Sequence, residues 1–248
     1  MAREARDDLL GFLPEGRSHE EVAGEGMSQR EHLMDTPAAP PDDVRSPVPP
    51  VRVFILNDHE LARQGLRDLL EDNGFRIPGE SGSAAEALRL ISILKPDIAV
   101  LDDRLPDGTG IEVSRELQST APGVKCLILT SWDEQHAVRA AVLAGASGYV
   151  LKQIGDNSEL INSIRSAAAG RAPVGPELRE RVAGSLYATA DAPWLEAMTL
   201  QERKVFAFMA RGLTNRQIAQ EMLLPDEAVA DSVSSVLEKL GFRHRNQQ

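Results

Sequence analysis

The 248-residue chain has one cysteine, 4% aromatic residues and no long apolar run. The single cysteine, Cys126, permits neither a disulfide nor a cysteine-based zinc site, and its place in an apolar run favours a buried core residue. No segment approaches the roughly 20 apolar residues that a membrane-spanning helix needs. Acids interrupt the N-terminal stretch where a secretory signal needs an apolar core. These absences predict a cytoplasmic protein that does not contact a membrane.

Basic residues are also scarce. The chain has 38 Asp and Glu against 27 Lys and Arg, a formal net charge of −11. Acids outnumber bases 11 to 5 over residues 1–50, whereas residues 199–248 carry 7 bases and 6 acids. Because nucleic-acid-binding proteins usually present a clear basic patch, only this last segment is a candidate for contact with DNA.

Composition divides the chain into four segments. Residues 1–49 are acidic and rich in Pro and Gly, which predicts a disordered tail, because they bury too little apolar surface to fold. Residues 50–170 and 198–248 have the composition of two folded domains. The segment between them, 171–197, is a predicted linker with one helix at Pro176–Tyr187. The apolar face of that helix suits either core contact or dimerisation.

Five apolar runs alternate with five amphipathic patterns in the first domain. The predicted strands are Val51–Leu56, Phe75–Glu80, Ile98–Asp102, Val124–Thr130 and Gly148–Leu151. Strands that alternate with helices in this way predict a parallel, doubly wound α/β sheet. We therefore expect a flavodoxin-like (βα)5 domain followed by a smaller all-α domain.

Polar residues stand at the carboxyl ends of four predicted strands: Asp58, Asp102, Thr130 and Lys152. In a flavodoxin-like strand order these ends meet at one edge of the sheet. Two carboxylates, a hydroxyl and an ammonium there suit phosphoryl transfer to a carboxylate. Asp102 would attack as the nucleophile, and Asp58 would help it to hold Mg²⁺. Thr130 and Lys152 would then bind the phosphoryl oxygens.

Three segments carry a resemblance to a known family. LPDGTGIE (105–112), CLILTS (126–131) and GASGYVLK (145–152) resemble the receiver domain of bacterial two-component response regulators of the NarL/FixJ subfamily. The resemblance implies a sensor histidine kinase as partner. It also implies that the receiver accepts a phosphoryl group and has no separate enzymatic activity.

The resemblance assigns roles to individual residues. It implies that Asp102 is the phosphoacceptor and that Mg²⁺ is held by Asp58, Asp102 and the backbone carbonyl of Arg104. The implied phosphoryl-binding and switch residues are Thr130, Tyr149 and Lys152. Thr130 would move towards the phosphoryl group while Tyr149 rotates inward behind it, which biases a two-state surface of the receiver.

One position departs from the family pattern. The family has two acids after the first strand, and here the first of them is Asn57. Asn keeps an oxygen for a metal contact but lacks the charge, so we expect weaker Mg²⁺ binding with Asn57 in the ligand set. An extra acid, Asp103, stands beside the phosphoacceptor and could either compensate for the lost charge or face solvent.

The last segment has the order helix, short helix, turn and longer helix, which predicts a helix-turn-helix. The motifs GLTNRQIA (212–219) and KLG (239–241) resemble the LuxR-type module that follows receivers in the same family. The printed sequence stops where the family begins a fourth helix, so we expect the domain at 198–248 to lack that helix.

The predicted recognition helix, Asp226–Leu240, carries acids where the family carries basic and polar residues. The family pattern Thr-Val-Lys is replaced by Ala228-Val229-Ala230, and Asp231 follows. Acids repel DNA phosphates, although Asp and Glu can accept a hydrogen bond from cytosine. The candidate DNA contacts are Thr214, Asn215, Arg216, Lys239 and Arg243.

Two functions of different class follow. The architecture favours a phosphorylation-controlled, DNA-binding transcription regulator that acts as a homodimer or heterodimer. The acidic recognition helix favours an alternative, a regulator with impaired DNA binding that works through protein contacts, as a heterodimer or by binding a kinase. Asn57 motivates a weaker third idea, an unphosphorylated receiver that serves as a constitutive interaction module.

Overall fold

The computed structural model describes residues 49–131, 134–152, 157–171 and 193–242, together with isolated positions between 174 and 184. Its five strands are β1 Arg52–Leu56, β2 Arg76–Ser81, β3 Ile98–Asp102, β4 Lys125–Thr130 and β5 Gly148–Leu151. They form one parallel sheet in the order β2-β1-β3-β4-β5. The predicted flavodoxin-like sheet is confirmed, with β1, β3 and β4 adjacent at its centre.

Five helices accompany the sheet. They are α1 Glu60–Asp72, α2 Ala84–Leu94, α3 Gly110–Thr120, α4 Glu134–Ala144 and α5 Ser158–Ala168. Local sequence sets where two of them begin: Ser83 caps α2, and Thr109 forms a capping box with Glu112 at the start of α3. Such caps satisfy backbone N–H groups that have no partner inside a helix. The start of α3 is thereby fixed close to the end of β3.

Alternate residues of the central strands pack on opposite faces of the sheet. Val53 and Ile55 of β1 pack with residues of α1 and α5. Phe54 and Leu56 of the same strand pack with residues of α2, α3 and α4. Both faces of the sheet are therefore buried, as the continuous apolar runs of the strands predict.

The C-terminal part is all helical, as predicted. Its described helices are α6 Pro193–Glu196, α7 Leu200–Ala210, α8 Asn215–Met222 and α9 Asp226–Lys239. The last three form the predicted helix-turn-helix, whereas α6 stands in the segment that we predicted to be linker. Of the predicted helix at Pro176–Tyr187 the structure describes residues 177, 178, 180–182 and 184, which are helical; the rest of it and residues 1–48 and 243–248 lie outside the described residues. Among the helices that the structure describes, none is long and apolar enough to cross a membrane.

One apolar cluster continues from the receiver into the helix-turn-helix domain. It joins residues of α2, α3 and α4 to residues of α7, α8 and α9, including Phe206 and Val236. Helix α7 contacts α4, and α8 contacts α3. The ring of His136 in α4 meets the ring of Phe242 edge to face, with centroids 6.4 Å apart. The two domains therefore share one core on this face of the sheet.

Candidate functional site

The carboxylate of Asp102 lies at the carboxyl end of β3 and is only 2% exposed. Lys152 Nζ donates to Oδ1 at 2.6 Å, and the backbone N–H of Arg104 donates to the same oxygen at 3.3 Å. The side-chain amide of Asn57 donates to Oδ2. Burial raises the pKa of Asp102 to about 6, and the opposing effect of Lys152 limits the rise. The pocket thus holds a desolvated carboxylate against one counter-charge.

The neighbouring acid, Asp103, is also inside the pocket and is 3% exposed. Its Oδ2 accepts a hydrogen bond from Thr130 Oγ1 at 2.8 Å, and its Oδ1 lies 3.9 Å from Lys152 Nζ. Of the two placements that the sequence left open for Asp103, the structure shows the buried one. Nothing in the local sequence distinguishes the two, because contacts from β4 and β5 decide the placement.

The residues expected to hold the metal, Asn57, Asp58, Asp102 and Arg104, stand at or just after the carboxyl ends of the paired strands β1 and β3. Asp58 is partly exposed, and its carboxylate pairs with the ring of His59 at 2.7 Å. The amide oxygen of Asn57 accepts the backbone N–H of His59 at 2.9 Å. Carboxylates of Asp58 and Asp102 with a backbone carbonyl are the hard donors that suit Mg²⁺. Within the described ranges no three His, Cys, Asp or Glu residues form a metal-binding group. The side-chain amide of Asn57 turns its nitrogen to Asp102, and its oxygen accepts from His59.

An open cavity of about 370 Å³ lies next to this pocket. Its walls include Asn57 and Lys152, the two side chains that hydrogen-bond Asp102, together with His59, Leu66 and Asn157. The helices that flank it are α1 and α5. A donor group could therefore approach the pocket from this side of the sheet.

Tyr149 lies on β5 opposite Ile128 of β4. Residues paired in parallel strands point to the same face, and Ile128 shares its face with Thr130. Tyr149 is half-buried on the face that α4 covers. Burial, followed by the charges of Glu134 and Glu159, raises its pKa. The two predicted switch residues thus share one face of the sheet, the face that carries the helix-turn-helix domain.

A buried arginine joins the two domains. Arg115 of α3 is 0% exposed. Its guanidinium donates to the backbone oxygen of Leu143 at 2.6 Å, to that of Leu213 at 2.8 Å and to Asn215 Oδ1 at 2.9 Å. Burial lowers its pKa to about 10. Arg115 was not among the residues predicted from the sequence, although its position four residues after Ile111, on the apolar stripe of α3, is a usable signal of burial.

The recognition helix α9 lies along the receiver. Ser234 Oγ donates to the carboxylate of Glu112 on α3. Next to this contact, a cavity of about 370 Å³ lies between α9 and the receiver. Ala230 of α9 and the receiver acids Glu116 and Asp107 are among its lining residues. Ala230 and Asp231 themselves are exposed. The Ala230–Ser234 edge of the helix therefore faces receiver acids.

The five candidate DNA contacts fall in different surroundings. Thr214 caps α8 through Gln217, and Asn215 is buried against Arg115. Lys239 Nζ contacts both carboxylate oxygens of Glu202 at 2.6 Å. Arg216 is exposed, and Arg243 lies outside the described residues. In this arrangement Arg216 is the candidate that the structure places in solvent.

Comparison with known proteins gives two family matches. Residues 53–165 match the response regulator receiver domain, and residues 196–248 match the bacterial regulatory proteins of the luxR family. The chain is 43% identical over 199 residues to the DNA-binding transcriptional activator DevR/DosR of Mycobacterium tuberculosis, which covers 79% of this chain and 91% of that protein. It is 31% identical over 196 residues to the transcriptional regulatory protein DesR of Bacillus subtilis, with 79% and 92% covered. A solved LuxR-family response regulator from Aurantimonas sp. SI85-9A1 is 34% identical, covers 56% of this chain and 99% of its own, and has a TM-score of 0.48.

Proposed function

Since the chain belongs to the two-component response regulators that join a receiver to a LuxR-type DNA-binding domain, we propose that Asp102 is its phosphoacceptor. Members of this family are transcription regulators, and the comparisons lend no support to a regulator that works only through protein contacts. The observation that carries the proposal is the buried Asp102 carboxylate, with Lys152 Nζ at 2.6 Å.

The proposed transfer follows from this geometry. A carboxylate oxygen of Asp102 attacks the phosphorus of a phosphohistidine on a sensor kinase, and a P–O bond forms as the P–N bond breaks. The electron pair stays on the imidazole nitrogen, which takes up a proton. Lys152, already beside Asp102, neutralises charge on the transferred group. Asp58, Asp102 and the Arg104 carbonyl would hold Mg²⁺, which when bound supplies further neutralisation, and the neutral Asn57 makes that binding weaker.

Before phosphorylation, we infer, the receiver restrains the recognition helix. Arg115 holds the start of α8, and Glu112 holds Ser234 of α9. Receiver acids beside the same edge would repel a DNA backbone that approached it. Thr130 and Tyr149 share a sheet face with α4, and α4 packs on α7. A movement of these two side chains on phosphorylation would therefore shift α4 and, through it, the contact between the two domains.

DNA binding by the released domain rests on a small set of basic groups. Arg216 is exposed, whereas the recognition helix presents Ala230 and Asp231. We therefore expect few phosphate contacts and a modest dependence of affinity on salt. A dimer would double those contacts, and we propose a homodimer on DNA. With DNA and a sensor kinase as its proposed partners, we propose that the protein acts in the cytoplasm.

The proposed phosphoacceptor is tested with the full chain and a small phosphodonor such as acetyl phosphate, in the presence of Mg²⁺. Intact-mass spectrometry counts phosphoryl groups, and a salt titration on genomic DNA fragments follows binding. Asp102→Asn removes the nucleophile, and Asp68→Asn on the exposed face of α1 is the matched control. We expect modification and donor-dependent DNA binding in the native chain and the control, and neither in Asp102→Asn. Modification that survives in Asp102→Asn would place the phosphoacceptor elsewhere.

The DNA-reading role is tested separately by changing the recognition helix. Ala230→Lys with Asp231→Asn adds the positive charge that the exposed edge of α9 lacks. If the native chain binds DNA once phosphorylated, and this variant binds more tightly with a steeper salt dependence, the domain reads DNA through α9. Binding that occurs only in the variant would show that the native domain is not a DNA reader.

A further inference from the structure

Asp103, the residue after the proposed phosphoacceptor, directs its carboxylate into the pocket. One oxygen accepts the Thr130 hydroxyl at 2.8 Å, and the other lies 3.9 Å from Lys152 Nζ. The hydroxyl and the ammonium are the same two groups that are expected to bind phosphoryl oxygens once Asp102 is modified. In the unphosphorylated chain, Asp103 therefore contacts the two side chains that are expected to bind the phosphoryl group.

The charge balance of the pocket points the same way. Around Asp102, the carboxylates of Asp102 and Asp103 face one ammonium, that of Lys152, while Asn57 contributes a neutral amide. Phosphorylation replaces the single negative charge of the Asp102 carboxylate with up to about two negative charges on the phosphoryl oxygens near neutral pH, a net gain of about one. Unpaired charge is costly in buried surroundings. The carboxylate of Asp103 therefore opposes the arrival of a second anionic group beside it.

We propose, on the premise that Asp102 is the phosphoacceptor, that Asp103 is a positioning residue that holds the switch hydroxyl and competes with the phosphoryl group for Thr130 and Lys152. The Thr130 hydroxyl has one proton to donate, so it cannot serve Asp103 and a phosphoryl oxygen at once. Phosphorylation must break a charge-assisted hydrogen bond and place an anion beside a buried carboxylate. Asp103 thereby raises the donor concentration at which the receiver responds.

Two substitutions separate the parts of this effect. Asp103→Asn removes the charge and leaves an amide oxygen that still accepts from Thr130, whereas Asp103→Val removes both. The phosphorylated fraction of the full chain is measured at fixed acetyl phosphate over a range of Mg²⁺ concentrations, with Asp68→Asn as control. We expect the ratio of phosphorylated to unphosphorylated chain to rise about fivefold for Asn and about tenfold or more for Val, since a hydrogen bond to a charged group contributes more than one to a neutral group.

A second readout isolates the role of Thr130. In the native chain Thr130→Ala should lower the phosphorylated fraction by a smaller factor than in the Asp103→Val background, because the native hydroxyl is contested between Asp103 and the phosphoryl group. In the Asp103→Val background the same Thr130→Ala should lower it severalfold, because the freed hydroxyl then serves the phosphoryl group. A merely structural role for Asp103 predicts no such coupling. Circular dichroism confirms folding, and Asp103→Ala, which also lacks an acceptor for the Thr130 hydroxyl, stands in if Asp103→Val does not fold.

Three results would overturn the inference. Reduced phosphorylation together with a higher Mg²⁺ requirement would show that Asp103 helps to hold the metal. Unchanged phosphorylation in both folded variants, with Asp102 still modified, would leave the proposed function intact and remove the role of Asp103. If no folded variant is modified at Asp102, the phosphoacceptor assignment fails and the inference fails with it.

Discussion

Two ionisable groups, Asp102 in the phosphoacceptor pocket and Arg115 at the domain junction, are buried to a similar degree but are stabilised in opposite ways. Asp102 has a full counter-charge in Lys152. The hydrogen bonds recorded for Arg115, within the described part of the chain, all go to neutral acceptors on α4, the α7–α8 turn and α8. A pocket that is held together by charged groups responds to a reaction that adds charge. A guanidinium that is stabilised by neutral hydrogen-bond acceptors stays buried only while every acceptor remains in place. Loss of one acceptor should therefore favour loss of the others, and we expect the two domains to separate in one step.

The largest effect is expected when the junction is broken with Arg115→Met. The change leaves Asn215 Oδ1, the buried carbonyl of Leu143 and the part-buried carbonyl of Leu213 without the donor. Each buried group left unpaired costs about 1–3 kcal/mol. We expect the domains to separate in the absence of a phosphodonor. The radius of gyration from small-angle X-ray scattering should increase. DNA affinity without phosphodonor should rise about tenfold or more, because a tenfold change corresponds to destabilising the closed state by about 1.4 kcal/mol relative to the open state.

Arg89→Met on α2 is the control for Arg115→Met, because Arg89 is largely exposed and pairs only with Glu86 among the contacts recorded for it. Arg115→Lys tests the geometry, since an ammonium lacks the planar fork that reaches three acceptors, and it should open the junction in part. A radius of gyration that stays unchanged in Arg115→Met would mean that the apolar cluster alone holds the domains together.

The pocket was far more predictable from sequence than the junction. Strand ends in a parallel sheet meet by topology, so Asp102 and Lys152 could be assigned to one site before any contact was known. For Arg115 the sequence offers only its place on the apolar stripe of α3. That signal is weaker than strand topology, because a single Arg on an amphipathic helix is normally solvated and only packing between domains buries it. The placement of Asp103 was predictable in part. Its position beside Asp102 follows from the sequence, but the direction of its carboxylate into the pocket depends on a contact with Thr130 of another strand.

The next effect concerns the backbone that supports the pocket. A Cβ on Gly110 would lie 2.3 Å from the backbone oxygen of Asp102 and 3.1 Å from its carbonyl carbon, and neither atom can move without β3. Gly110→Ala should therefore displace α3 from the end of β3 and lower the free energy of unfolding by about 3 kcal/mol, as overpacking does. Urea unfolding measures the loss, and phosphorylation should fall in parallel.

Gly65→Ala within α1 is the matched control for Gly110→Ala. A Cβ there meets no atom within 4 Å, so the change should be neutral or stabilising by up to about 1 kcal/mol. Equal stability of the two variants would show that β3 and α3 separate without cost, in which case the placement of Asp102 does not depend on Gly110.

A third buried charge, Glu202 in the helix-turn-helix domain, extends the comparison to pH. Burial by itself raises the pKa of Glu202, but hydrogen bonds from Lys239, Ser235 and Thr199 outweigh it and lower the pKa to about 2 from its ordinary 4.5. Because the folded-state pKa is depressed, this stabilisation is present above about pH 4.5 and is lost as the pH falls towards 2. Glu202→Gln should cost about 2 kcal/mol at pH 7, and the deficit should shrink below pH 4.5.

Urea unfolding of the native chain and Glu202→Gln, at several pH values from 7 to 3, measures this deficit as a difference, so other titrating groups cancel. Glu196→Gln, at an exposed position just before the same domain, is the control and should show no pH-dependent deficit. A deficit for Glu202→Gln that stays constant down to pH 3 would mean that the ion pair with Lys239 contributes little and that packing alone explains the loss.

The smallest effect is expected for Ser234→Ala, which tests the hydrogen bond between Ser234 and Glu112 apart from those of Arg115. Ser234→Ala removes the hydroxyl that donates to Glu112 and leaves the capping box of Glu112 with Thr109 in place. One hydrogen bond contributes about 1 kcal/mol net, and Ala has the higher helix propensity, so DNA affinity without donor should rise no more than about fivefold. Ser92→Ala on the exposed side of α2 controls for propensity. A rise as large as that of Arg115→Met would show that the contact between Ser234 and Glu112 holds the junction closed as strongly as the buried guanidinium does.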